Sequence, residues 1–483
     1  MIHFRAIGYV LGQFLMALAG TMLVPLIYGS LAGGNGLRPL GLAAAITAAA
    51  GVALFLLLPK PQRELNQREG LLLVVAVWLS ISFFGALPFY FSPYFSGFTD
   101  AVFEAVSGFT TTGATVLADV EVLPTPVQFW RCFSHWLGGM GIVLLGVAIL
   151  PLVGHGGMHL YRAEFSGAKS EKLKPRITET VLSLWRIYVA LTIVEFFLLR
   201  FAGMNGFEAL CHTFSTLGTG GFSTRTASVA AFQNPLIEYI IILFMALSGI
   251  SFVQHYRIWV EGSPKNFYRD VEIRYYLVLT VAASVVIGGI LIGHDGYGLE
   301  KGLRTALFQV TSIITTTGFV TDNFEIWHPL PQLILLALMF VGGCTGSTAG
   351  GLKTSRVLLL ARVVDREFKR MVERRGVFAV RLGGQVIPEG TIQSLLNLIY
   401  LAFVVNFVSC LLLAAMGIDV LTCIAAVAAS MFNVGPGLGG VGPLDNYGHL
   451  PALAKWVLSG CMIAGRLEFY TVLVILTPAF WRK

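Results

Sequence analysis

The sequence predicts an all-α polytopic membrane protein: an N-terminal helical hairpin, then four parallel helix–pore-loop–helix repeats in a pseudo-fourfold arrangement around one pore. Three observations lead there. Apolar runs of about 20 residues, enough to cross a bilayer as a helix, recur along the whole chain. Only 12% of the residues are charged, about half the share of a soluble protein. A short Thr/Gly tract returns four times, each time after a short helix lodged between two long apolar ones. A β-barrel would instead need short segments of alternating polarity, and none are present.

In chain order, residues 1–58 hold two apolar runs, 7–28 and 40–58, turned by Gly33-Gly34-Asn35-Gly36. No small-residue cleavage site closely follows the first run, which reads as a retained helix. A link carrying Lys60, Arg63 and Arg68 leads to the first repeat, 70–153: long run 71–91, short run 98–110 ending in Thr-Thr-Thr-Gly, long run 127–153. A basic link with Arg162, Lys169, Lys172, Lys174 and Arg176 precedes the second repeat, 181–256, with runs 182–201, 206–216 and 237–253. The third, 274–362, has runs 275–292, 302–314 and 333–360, the last interrupted by glycines. The most basic link, 362–381, leads to the fourth, 392–480, with runs 395–416, 421–432 and 453–476. The key glycines, Gly113, Gly221, Gly318 and Gly435, are spaced by about 110, 95 and 115 residues, a repeat architecture.

Charge gives the orientation. Of 33 Lys and Arg, 25 lie in the links between repeats, the termini and adjoining helix ends. The positive-inside rule makes those links, and both termini, cytoplasmic. The same rule accounts for the net charge of +7 without nucleic acid. Every repeat then runs in the same sense, so the repeats are parallel rather than inverted, and all four Thr/Gly tracts face the outer half of the bilayer. The six cysteines are scattered through apolar segments and read as packing residues, not disulfides or metal ligands.

Non-helical backbone at membrane depth is tolerated only where protein covers it or it lines a cavity. Four such stretches about one axis present rings of carbonyl oxygens that can replace the hydration shell of a monovalent cation. Glycine lets alternate carbonyls turn inward through φ > 0. The pore-helix C-termini add partial negative charge toward the cavity. Asp100 and Glu208, in the first turns of two short helices, suit either ordinary capping or cation attraction at the mouth.

Arg466 falls near the middle of the run 453–476, where burial costs on the order of 3 kcal/mol. Glu468 is about 200° away around that helix and is a poor partner. Arg466 therefore reads as a positive barrier below the filter, with an ion pair between repeats as the alternative. The glycine-rich break contains Gly342, Gly343, Gly346, Ser347, Thr348, Gly350, Gly351 and then Lys353. So much glycine cannot hold a straight helix, and the break reads as an intramembrane gating loop, with Lys353 snorkelling inward or holding it closed. Its likeness to a phosphate-binding loop fails on spacing and context. His135 with His212, and His155 with His159, read as capping or interfacial residues. No catalytic constellation is present, so no enzyme is expected.

The four-round layout with Thr111-Thr112-Gly113, Thr219-Gly220-Gly221-Phe222, Thr316-Thr317-Gly318-Phe319 and Asn433-Val434-Gly435-Pro436-Gly437 resembles the TrkH/TrkG family of bacterial Trk potassium-uptake subunits, within the Trk/Ktr/HKT superfamily. The likeness spans essentially the whole chain. The N-terminal hairpin, the loop at 342–351 and Gly465-Arg466-Leu467-Glu468 favour this branch over the shorter Ktr branch. The resemblance implies K⁺ as the transported ion and no organic cofactor. The filter ligands would be the carbonyls of Thr111, Thr112, Thr219, Gly220, Thr316, Thr317, Asn433 and Val434. It further implies a homodimer in the bacterial inner membrane, one pore per subunit, and a cytoplasmic TrkA-type ring that binds nucleotides and regulates the gate. Glycine at all four key positions matches the potassium-selective pattern, while Pro436 makes the fourfold symmetry approximate. A proton- or sodium-coupled carrier on the same scaffold, and a membrane subunit with no ion path, are the competing expectations.

Overall fold

The structure, a computed structural model, describes residues 2–33, 35–61, 63, 65–148, 177–260, 262 and 264–482. Most of the expected basic link 161–180, the end of the first repeat, and His155 and His159 lie outside the described residues. The regular structure described is helical apart from one two-stranded hairpin, Arg381–Leu382 with Gln385–Val386. The N-terminal hairpin is Phe4–Leu31 against Leu37–Leu57. Its helices meet at Gly12 and Gly51, where a Cβ on either would lie 2.8 Å from the other helix's backbone. Small residues permit this approach between membrane helices.

Each repeat begins with a long apolar helix: Gln67–Gly85, Ile177–Phe201, Val271–Gly293 and Glu389–Ala415. The first starts in a capping box, in which Asn66 accepts from Glu69 N and Glu69 accepts from Asn66 N. The pore helices follow as Phe98–Phe109, Gly206–Leu217, Leu299–Ile314 and Val420–Met431. At 12 to 16 residues they reach roughly 18–24 Å, short of the ~30 Å hydrocarbon core. Asn205 and Asp419 cap two of them, accepting from Glu208 N and Thr422 N.

The third helix of each repeat departs most from expectation. Thr125–Ala148 is continuous as far as it is described. The run expected as one helix over 237–253 is instead Pro235–Ser248 and Phe252–Trp259, bent by 99°. The run expected over 453–476 is Ala452–Arg466 followed by Phe469–Leu473 and a short 3₁₀ turn, bent by 118°. In the third repeat Pro329–Met339 stops and Thr354–Val372 starts afresh, carrying the helix well into the expected basic link. Two of these breaks have a common cause. Cys344 N donates to Gly249 O at 2.8 Å, and Phe252 N donates to Gly346 O at 3.0 Å. The loop of one repeat satisfies the backbone groups freed by the bend in its neighbour, which non-helical backbone in a membrane requires. At the last break Glu468 takes φ +62° and pairs with Arg356 at 2.7 Å.

The core lies where the pore helices converge. Phe103, Phe308, Ala425 and Val427 are fully buried, whereas the long first helices expose residues such as Phe197, Val278 and Phe403. An apolar exterior around a packed centre suits a lipid-facing shell.

Candidate ion pathway

All four pore helices end in the same way. Thr112 N, Gly220 N, Thr317 N and Val434 N each donate five residues back, to Ser107, Ser215, Ser312 and Ala429 carbonyls, every time at 2.8 Å. The preceding residues Thr111, Thr219, Thr316 and Asn433 donate three residues back. This is the Schellman helix ending, whose C′ residue sits in the left-handed region. Thr111, Thr219 and Thr316 accordingly have φ +54° and Asn433 has φ +57°. Two residues on, Gly113, Gly221, Gly318 and Gly435 have φ between +80° and +98°. Each strand thus leaves its helix with positive φ at alternate positions, which turns successive carbonyls the same way.

The strands also close into a ring. A Cβ built on Gly113 would collide with the Gly220 carbonyl oxygen, one on Gly221 with Thr317 O, and one on Gly318 with Val434 O. One on Gly435 would lie 2.5 Å from Thr112 O. Each key glycine therefore abuts the residue preceding the key glycine of the next repeat, in the order one, two, three, four, one. The same four glycines line a single vestibule, together with Arg131, Arg225, Asp445 and Tyr447. Tyr447 hydroxyl donates to Gly435 O at 2.7 Å, and its N–H donates to Thr115 O at 2.8 Å, tying repeat four to repeat one.

Beneath the ring lies the glycine-rich loop. Val341 and Leu352 form a parallel bridge that pinches its ends together, and Gly342 N donates to Leu352 O at 2.8 Å. A Cβ on Gly342 would strike Gly350 O, and Gly343 faces Gly249 O. Gly346 and Gly351 take φ +78° and +69°. Gly350 N donates to Thr316 hydroxyl at 2.6 Å, so the loop contacts the third Thr/Gly strand directly. Thr348 hydroxyl reaches Leu217 O at 3.0 Å in the second repeat, and Ser347 is buried beside Gly343. Lys353 Nζ donates to Ala349 O, across the loop.

Arg466 joins this arrangement from the fourth repeat. It is the last residue of its helix, at the break, not mid-helix as expected. Its guanidinium donates to Thr348 O at 2.8 Å and to Gly138 O at 3.2 Å. Among the described residues it has no carboxylate partner, and Glu468 is taken by Arg356. Loop and arginine together touch all four repeats on the helix side of the ring.

Several residues that hold the pathway escaped sequence reading. Arg131 and Glu104 form a fully buried pair at 2.6 Å, and Arg131 also donates to Ser223 O at 3.0 Å. Glu104 accepts from Thr115 and Val116 just past the first Thr/Gly strand. Glu272 Oε1 accepts from Thr345 N at 2.7 Å and Ser355 N at 3.0 Å, so the acceptor at the base of the glycine loop is the protein's own side chain. The signal available was a lone charge at an apolar boundary, too common to single out. Asp100 and Glu208 do lie in first turns, but each is engaged, by Lys455 at 2.6 Å and Arg225 at 2.6 Å. His135 and His212 are fully buried among the pore helices, not capping or interfacial. No His/Cys/Asp/Glu cluster that could hold a metal is present among the described residues, and the six cysteines are free thiols.

The TrkH family of cation transport proteins matches residues 41–292 and 295–483. The chain belongs to the TrkH family. It is 42% identical to the Trk system potassium uptake protein TrkH of Escherichia coli K12, over the full length of both. It is 40% identical to the TrkH of Halomonas elongata, over 99% of each chain. The crystal structure of the potassium transporter TrkH from Vibrio parahaemolyticus superposes with a TM-score of 0.92 at 37% identity, covering both chains entirely. TrkH membership accounts for a multi-pass membrane fold and places the chain among transporters rather than enzymes.

Proposed function

We propose that this protein takes up K⁺ across the bacterial inner membrane through a channel-like pore, with a four-part carbonyl filter and an intramembrane gate. One observation carries the reading: four strands of equal backbone conformation closing head to side in a ring. Carbonyls of Thr111, Thr112, Thr219, Gly220, Thr316, Thr317, Asn433 and Val434 would replace the ion's water. The glycines at 113, 221, 318 and 435 allow the backbones to approach. Loop 342–353 and Arg466 form the gate and barrier, because they bridge the helix side of the ring.

The links and both termini face the cytoplasm on this reading. The relatives' place in a Trk system supports association with further Trk components. A homodimer, with a TrkA-type nucleotide-binding ring acting on the gate, is the assembly we infer. The deciding measurement is the reversal potential of the purified chain in liposomes under opposed K⁺, Na⁺ and pH gradients. A value following K⁺ alone supports a channel. A value that moves with the Na⁺ or pH gradient at fixed K⁺ overturns it in favour of a coupled carrier.

A further inference from the structure

The second filter strand departs from its counterparts in a way the pathway above does not use. In the first and third strands the residue before the key glycine is a threonine tied to the threonine two positions earlier. Thr110 and Thr112 hydroxyls lie 2.8 Å apart, and so do those of Thr315 and Thr317. The second strand has Gly218 and Gly220 at these positions and no hydroxyl to make the tie. The space is filled by His135, from the third helix of the first repeat. A Cβ on Gly220 would overlap the imidazole ring, so Gly220 and His135 are matched in shape.

His135 does more than fill space. Its Nδ1 lies 3.3 Å from Phe222 N, which can only donate, and 3.3 Å from Ser215 hydroxyl. The ring stacks on Phe222 with centroids 4.0 Å apart and planes at 17°. The Arg131 guanidinium packs on the same phenyl ring, 3.6 Å from its centroid. Phe222 is thus gripped by two residues one helical turn apart. The N–H that His135 holds belongs to the peptide unit that carries the Gly221 carbonyl. In a trans peptide N–H and C=O point oppositely. An acceptor fixed behind Phe222 N therefore aims Gly221 O away from His135. The fourth strand has proline at the equivalent position and no such N–H to hold.

We propose that His135 is a positioning residue for ion selection: its Nδ1 orients the Gly221–Phe222 peptide and replaces the threonine tie missing from the second strand. This rests on the filter reading given above. The test uses the full chain in liposomes, comparing K⁺ and Na⁺ flux for three variants. His135→Phe keeps the stacking and removes the acceptor. His135→Asn places Oδ1 where Nδ1 was. Gly113→Ser probes the filter independently. Losing one buried hydrogen bond should lower the K⁺/Na⁺ permeability ratio of His135→Phe by about fivefold, with His135→Asn close to the parent. Packing alone would not be rescued by asparagine. If Gly113→Ser changes the ratio and His135→Phe does not, the filter stands and this proposal falls. If neither changes it, the filter reading itself fails. Should His135→Phe not fold, a His135→Asn ratio as low as that of His135→Ala would overturn the proposal, and parent-like His135→Asn beside a lowered His135→Ala would support it.

Discussion

Two residues in each filter strand have positive φ, and glycine supplies only one of them. The other is threonine in three strands and asparagine in the fourth. Asparagine is at home in the left-handed region, while a β-branched residue there is an outlier costing on the order of 1–2 kcal/mol. Such strain points to a use. Thr316 hydroxyl accepts the loop's Gly350 N–H, and Thr111 hydroxyl is buried with no partner among the described residues. A hydroxyl at the base of each of these two strands thus stands against backbone preference. At the glycines the constraint is steric: a Cβ on Gly113 meets the next strand's carbonyl. Gly113→Ser should therefore lower the K⁺/Na⁺ permeability ratio, measured by bi-ionic potentials, and an unchanged ratio would remove Gly113 from the filter. Arg466 is predicted to hold the gate shut through two carbonyls. Charged hydrogen bonds are worth about 1.5–3 kcal/mol each, so Arg466→Ala should raise K⁺ flux by roughly tenfold or more at equal expression. Equal or lower flux would show that the arginine supports the pore instead of closing it.

Among the elements, the third helix of each repeat sets the differences between quarters. In the first it is continuous as described, and Arg131 and His135 on it contact the second repeat's strand. In the second and fourth it bends sharply, and in the third it opens into the loop. The loop takes backbone partners from the bend in the second repeat, so neither irregularity would be stable alone. On the vestibule side the matching joint is Arg131, held by Glu104 and donating to Ser223 O of the second repeat. Breaking a fully buried pair leaves an uncompensated charge and costs about 3–5 kcal/mol. Arg131→Met should lower the melting temperature in detergent strongly, and adding Glu104→Gln should recover part of the loss. A single variant as stable as the parent would show that the pair carries little of the packing. The glycines of the loop were legible as a helix break from composition. Its docking on Gly249 was not, because a run of Ile, Leu and Ala around that glycine reads as unbroken helix.

Across the whole molecule, joints link successive repeats near the vestibule. Arg225 pairs with Glu121 at 3.0 Å between repeats one and two, and Arg304 with Glu238 at 2.5 Å between two and three. Glu325 accepts Gly439 N at 2.7 Å between three and four, and Lys455 meets Asp100 at 2.6 Å between four and one. Such a belt joins the repeats around the ring independently of the loop on the other side. The basic helix Thr354–Val372 continues directly from that loop, so force on it from a cytoplasmic partner would be transmitted to the gate. We predict that adding a TrkA-type ring with its nucleotide changes K⁺ flux severalfold, and that this response shrinks in Arg466→Ala, whose gate is already released. A full response in that variant would place the control elsewhere.

The chain's one-dimensional pattern was enough for the membrane class, the four repeats, their parallel sense and the strand position of every key glycine. These follow from local rules: apolar length, charge in the links, and the need for positive φ where a pore helix ends. Long-range packing decided the rest. That Arg466 would bind the Thr348 and Gly138 carbonyls, and that His135 would stand behind Gly220, depend on residues 80 or more positions apart meeting around one axis. No local propensity encodes such a meeting. It arises because buried backbone without water must find its partners in whichever repeat lies next to it.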